Sequence, residues 1–235
     1  MKNISTYITE KLRIKSSKQI NTIYSPKSNK ELIDILNDLI SKRGSNADLN
    51  DIDVSNITDM KDVFSFVNRD NEIEQIDISD WDVSNVTNME NMFFNCKYFN
   101  GDISEWDVSK VTNMSNMFAG CKEFNQDISD WDVSNVEDMN MLFLNCISFN
   151  VEIDKWKAKP ENTAWMFGGC ENFNQDISEW DMSDCVNMVS MFNSCTNFNQ
   201  DLSNWNVSRA HYMSNMFFNC TSFNQDLSGW NISMV

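Results

Sequence analysis

Histidine occurs once in this sequence, at His211. Imidazole is the commonest general acid–base group and a frequent metal ligand, so a single copy leaves little material for His-based catalysis. No nucleophile or acid pairing recurs around His211, which is expected at the surface without a catalytic role. Two prolines and six glycines exclude collagen-like and Pro/Gly linker classes. No window approaches the ~20 apolar residues of a membrane-spanning helix. No h-region of roughly 7–15 apolar residues follows the first lysine, and no acylation or prenylation signal is visible. A cytoplasmic chain is therefore expected. Basic residues are the minority, 18 against 35 acidic, and the net charge of −17 argues against direct binding to nucleic acid or an anionic membrane.

The sequence is rich in large apolar side chains: 16 Phe, 15 Met and 8 Trp in 235 residues, with 41% hydrophobic and 23% charged. That mixture fits one large domain or two small ones and excludes a disordered acidic tail. The apolar residues recur. Tryptophans fall at 81, 106, 131, 156, 180, 205 and 230, a step of 25 broken once by 24. Cys96, Cys121, Cys146, Cys170, Cys195 and Cys220 keep the same rhythm, as do Phe99, Phe124, Phe149, Phe173, Phe198 and Phe223, each followed by Asn. A degenerate copy starts at Asp48, with Ile52 in the Trp position.

Two periods are visible inside a unit. Ile103 alternates with Asp102 and Ser104, which suits a strand over 99–104. Val111, Met114, Met117 and Phe118 then share one face of a short helix, with Ser109 placed as its N-cap. Pro160 fits the first turn of such a helix in its own unit. The pattern predicts an α/β fold, a solenoid of 25-residue strand-plus-short-helix coils whose stacking makes the core. Residues 1–45 differ in kind. Ile4, Tyr7, Ile8 and Leu12 mark one amphipathic helix, and a second runs from about Lys30 to Arg43 with Gly44 as C′. Residues 1–43 hold nine basic and four acidic residues, whereas 44–235 hold nine and thirty-one. The expected division is a helical N-terminal cap, 1–45, and a solenoid, 46–235, of about seven coils plus a terminal strand. With no cap after Trp230, self-association through the last coil is expected.

The run Asp-Val-Ser-Asn-Val-Thr-Asn-Met-Glu-Asn-Met-Phe-Phe-Asn-Cys at 82–96, with its copies, resembles the BspA-like leucine-rich repeat family, the mycoplasma-type surface lipoprotein repeat. The likeness covers residues 48–235. It implies a right-handed, leucine-rich-repeat-like stack of strand-and-helix coils and a macromolecule-binding role, and no property of the family implies catalysis. Surface members carry an export or anchor signal that is missing here. The usual strand leucine is replaced by Asn, Gly, Gln or Val between Phe99 and Asp102 and in the equivalents. The opening residues 4–12 are similar to leaders of gut Bacteroides phage proteins, which implies a phage-encoded chain in a bacterial host.

Several rows could carry function. Asp77, Asp102, Asp127, Glu152, Asp176, Asp201 and Asp226 precede the inward Ile or Leu and are expected on one outward face. A second row follows each Trp at Asp82, Asp107, Asp132 and Asp181, interrupted by Lys157, Asn206 and Asn231. Stacked like charges repel, so the rows either form a solvated face or receive a basic protein. Calcium bridging is the weaker reading, because no Asp-x-Asp-x-Asp-Gly loop is present. The unit at 153–167 is irregular, bringing Lys155, Lys157 and Lys159 into acidic surroundings and adding Trp165, which is expected to replace a core side chain. The cysteines have no C-x-x-C pair and read as buried reduced fillers. The Asn row at 100, 125, 150, 174, 199 and 224 is expected to hydrogen-bond turn backbone from coil to coil. No metal and no cofactor are implied. The functional expectation is a non-enzymatic scaffold that binds a basic protein through an acidic repeat surface. The alternative is an acidic nucleic-acid mimic that inhibits a DNA- or RNA-handling enzyme.

Overall fold

The structure is a computed structural model and describes residues 22–67 and 73–235. The amphipathic stretch at residues 4–12 lies outside them. Helix α1, Asn29–Arg43, begins at the N-cap Ser28, whose side chain accepts from the Glu31 amide, and ends where Gly44 (φ +86°) donates to the Ile40 carbonyl. Its Leu32, Leu36, Leu39 and Ile40 are buried. The short helix α2, Val63–Val67, packs against it.

The strand-and-helix solenoid is not what the repeat builds. Beyond Val67 the described residues contain neither a helix nor a strand; the β-bridges between units are isolated parallel ones, such as Asn88 with Asn113 and Asn113 with Asp138. The physical reasons are local. Two residues in each unit take left-handed backbone: 91 and 95, 116 and 120, 141 and 145, 165 and 169, 190 and 194, 215 and 219. A right-handed helix cannot pass through such residues. The three-residue spacing of Val111, Met114 and Met117 comes instead from successive tight turns, in which Val111 donates to Val108 and Met117 to Met114. Ser109 caps no helix: its amide donates 3.1 Å to the carboxylate of Asp107.

The expected strand at 99–104 fails for a different reason. Its ladder partners are side chains. The Asn125 amide donates to the side-chain oxygen of Asn100 at 2.9 Å, and the Gln126 side chain donates to the Asn100 carbonyl at 2.8 Å. Asn150, Asn174, Asn199 and Asn224 repeat the first contact, each onto the Asn of the preceding unit. The coil-to-coil amide bonding expected from the Asn row is therefore present. Backbone continuity runs elsewhere: alternate amides at Met89, Asn91, Phe93 and Asn95 donate to Asn113, Ser115, Met117 and Ala119 of the next unit.

Three aromatic columns run through the core. Phe93, Phe118, Phe143, Phe167, Phe192 and Phe217 stack with centroids 5.5–5.8 Å apart. The column from Phe99 to Phe223 stacks at 5.8–6.1 Å. Burying each such ring stabilises the fold by about 1.5–3 kcal/mol relative to leaving it exposed. The Trp column adds a polar contact. Each indole N–H from Trp81 to Trp230 donates at 2.9–3.2 Å to a carbonyl of the preceding unit, so no indole donor in the column is left unpaired.

One close approach fixes a residue type. At Gly120 (φ +81°) an added Cβ would collide with the side-chain oxygen of Asn95, which folds over it. Gly120→Ala is therefore expected to destabilise by about 1–3 kcal/mol, from left-handed backbone plus clash. Denaturant unfolding checks it: adding Asn95→Gly should recover the clash component, and a neutral Gly120→Ala would contradict the packing.

Candidate functional site

The acidic row is exposed at all seven positions, Asp77, Asp102, Asp127, Glu152, Asp176, Asp201 and Asp226. Six of them have a structural use. In each Asp an Oδ1 accepts the amide of the serine two residues on, at 2.9–3.2 Å: Ser79, Ser104, Ser129, Ser178, Ser203 and Ser228. Such Asx turns explain why a short acid stands here in unit after unit. Glu152 differs, because Asp154 stands where the serine would be. The second row repeats the device. Asp82, Asp107, Asp132 and Asp181 accept from Ser84, Ser109, Ser134 and Ser183, and Asn206 and Asn231 do so from Ser208 and Ser233. Six of the seven positions of this row therefore supply an acceptor, Asp or Asn alike, and only Lys157 does not.

These bonds favour the ionised acid. The Ser129 hydroxyl and amide hold Asp127 below its ordinary value, and Ser109 does the same for Asp107. The amides of Ser203 and Ser228 lower Asp201 and Asp226. Asp181 falls furthest, to about 2, through the Ser183 hydroxyl and then Lys159.

The lysines of the irregular unit do not form a cluster of their own. Lys155 reaches back to Asp130 at 3.3 Å, and Lys159 reaches forward to Asp181 at 2.9 Å. Lys157 is exposed in the second row. Pro160 begins no helix; it is buried at the position of Val136. Having no amide, it cannot repeat the turn bond that Val136 donates to Val133.

Trp165 does not enter the core. It stands at φ +57° and is only partly buried, whereas its counterparts in the left-handed column are Asp62, Asn91, Asn116, Met141, Ser190 and Asn215. Asn and Asp tolerate this conformation, while a bulky side chain there costs roughly 1–2 kcal/mol. The ring rests on Gly168, where a Cβ would meet Trp165 Cε3 at 2.8 Å and Leu144 Cδ1 at 3.1 Å. With Met141, Leu144, Asn145, Gly169, Asn193 and Ser194 these residues line a shallow hollow of about 320 Å³. It adjoins a groove bordered by Lys97, Lys122, Ile147 and Glu171. Sequence reasoning missed this site, although Met141 and Trp165 interrupt a column otherwise filled by Asn, Asp and Ser.

Charge divides along the same line. The segments 89–99, 114–124, 139–149, 163–173, 188–198 and 213–223 carry only Glu90, Lys97, Lys122, Glu123 and Glu171. Because equivalent residues stack in register, those segments form a nearly uncharged strip, and the carboxylate rows lie outside it.

All seven cysteines are free and buried. They are more than fillers. The thiols of Cys121, Cys146, Cys170, Cys195 and Cys220 donate at 2.7–3.0 Å to Phe carbonyls of the preceding unit. Burial pushes the thiols up, Cys220 to about 11 and the others in the row further. Among the described residues no group of three or more His, Cys, Asp or Glu could hold a metal ion, and no helix is long and apolar enough to cross a membrane. His211 is exposed, its Nδ1 2.9 Å from the Arg209 carbonyl. In the last unit Phe217, Phe223, Leu227 and Trp230 are partly buried and Phe218 is exposed.

Two segments, 65–164 and 158–235, match the family described as Mycoplasma protein of unknown function, DUF285, and the chain belongs to that family. No curated protein and no solved structure matches it.

Two measurements test the side-chain chemistry. Asp181 has a folded pKa of about 2 against an ordinary 3.8, so its contribution to stability is complete above the higher value and is lost as pH falls toward the lower. Unfolding midpoints measured from pH 5 downward should drop through that window, and Asp181→Asn, which keeps the turn acceptor, should flatten the drop. In alkylation of the native protein at pH 8, Cys220 should react first and the rest only on unfolding. Rapid labelling of Cys146 would contradict the buried ladder.

Proposed function

We propose that this chain, as a BspA-like member of its family, is a non-enzymatic scaffold whose acidic rows bind a basic protein. The observation that carries the reading is the repetition of exposed carboxylates, unit after unit, on a frame whose backbone and side-chain hydrogen bonds hold their spacing. Preorganised charge accelerates encounter and selects partners of opposite sign. The Asx turns support the same reading, because each accepting carboxylate is fixed by its serine before any partner arrives. The free thiols support a reducing, cytoplasmic setting.

Asp→Asn substitution separates charge from fold, since Asn206 and Asn231 already make the turn. A variant with Asn at 102, 127, 132, 176 and 201 should fold normally. Against basic proteins captured from the source lysate at low salt, it should bind at least about tenfold more weakly, with a shallower salt dependence. Unchanged binding by the variant would end the reading. A captured DNA-handling enzyme that added DNA displaces would replace it with that of a nucleic-acid mimic.

A further inference from the structure

The hollow beside Trp165 lies on the uncharged strip, away from the acidic rows, and it departs from the repeat at three positions at once. Trp165 and Met141 put large apolar groups on left-handed backbone where other units place Asn, Asp or Ser. Gly168 stands where other units carry Phe94, Ala119, Leu144, Asn193 and Phe218, and its missing side chain lets the indole lie down. The seven tryptophans of the core column each donate their N–H to a carbonyl; among the described residues the Trp165 indole has no hydrogen-bond partner and joins no aromatic stack.

We propose that this hollow binds a neutral saccharide unit of a glycan, with Trp165 as the stacking platform. The lining names the chemistry. An aromatic face carries negative potential and attracts the polarised C–H face of a sugar ring. Around it, the amides of Asn145 and Asn193, the Ser194 hydroxyl, which already donates to the Asn193 side-chain oxygen at 2.9 Å and keeps its acceptor side, and the Trp165 N–H supply the mixture of donors and acceptors that hydroxyl groups need. No charged residue lines the hollow, so neither an anion nor a cation is selected. A hollow of about 320 Å³ is the size of a small-ligand subsite rather than of a protein interface. The groove that continues from its Asn145, Gly169 and Ser194 edge gives a chain of sugars room to extend.

The inference does not depend on the acidic rows, and the test keeps the two apart. The whole protein, labelled at its indole nitrogens, is titrated with five neutral hexasaccharides: β-1,4-glucan, β-1,4-linked N-acetylglucosamine, α-1,4-glucan, β-1,3-glucan and α-1,6-mannan. The Trp165 indole signal, assigned by its loss in Trp165→Asn, should shift with at least one of them and do so equally at low and high salt. Trp165→Asn installs the residue that neighbouring units use, so it should keep or raise the melting temperature while weakening that glycan at least tenfold. The proposal is overturned if all five leave the signal unmoved, if binding survives Trp165→Asn, or if the variant melts lower as a structural tryptophan would. Loss of basic-protein binding in the Asp→Asn variant with glycan binding retained is the expected signature of two separate surfaces.

Discussion

The repeat region depends on register: each unit must meet its neighbour in step along the chain. Alternate amides of one unit find their acceptors only in the next, as Met89, Asn91, Phe93 and Asn95 do in 113–119. The indole and thiol donors point the other way, to carbonyls of the preceding unit. A unit displaced by one residue would lose these bonds together and turn buried rings outward. Unpaired buried polar groups are costly, so a single register is enforced far more strongly than any one contact could enforce it. The one-residue deletion near Pro160 is tolerated because the bridge of Asp138 to Asn162 restores the step at once.

That constraint also explains the character of the surface. A turn that must be closed by a short side-chain acceptor recruits Asp or Asn, and choosing Asp adds charge without losing the turn. The carboxylate rows are therefore both architecture and electrostatics. Ion pairs such as Lys159 with Asp181 and Arg209 with Asp184 bridge neighbouring units and relieve part of the repulsion between stacked acids. The strip between the rows makes other demands: left-handed backbone at two positions, filled by Asn, Gly or Ser wherever nothing else intervenes. Departures there stand out because the local rule is strict.

Legibility in the sequence followed the same division. Rows that repeat, Trp, Cys, Phe and Asn, were readable as columns, and the burial of the Trp, Cys and Phe rows follows from apolar periodicity, while the Asn row stays at the surface. The helix Asn29–Arg43 was readable from its apolar spacing and from Gly44. The secondary structure inside the unit was not. A three-residue apolar step is shared by a helix and by a chain of tight turns, and only left-handed residues distinguish them. The alternation around Ile103 likewise belongs to an Asx turn at Asp102 and not to a strand. Trp165 was misplaced for a related reason: hydrophobicity assigned it to the core, while its position in the left-handed column put it on the surface.

The sequence by itself determined the repeat, its one-residue shortening between Trp156 and Trp180, the identity of the stacked columns and the excess of acidic charge, because these are properties of spacing and composition. Tertiary structure decided what the spacing could not. It decided that backbone groups pair between units rather than within helices or strands, since αL residues and side-chain amides take the positions that regular structure would need. It also decided which side of the stack is charged and which side carries Trp165, because faces exist only once successive units lie in register.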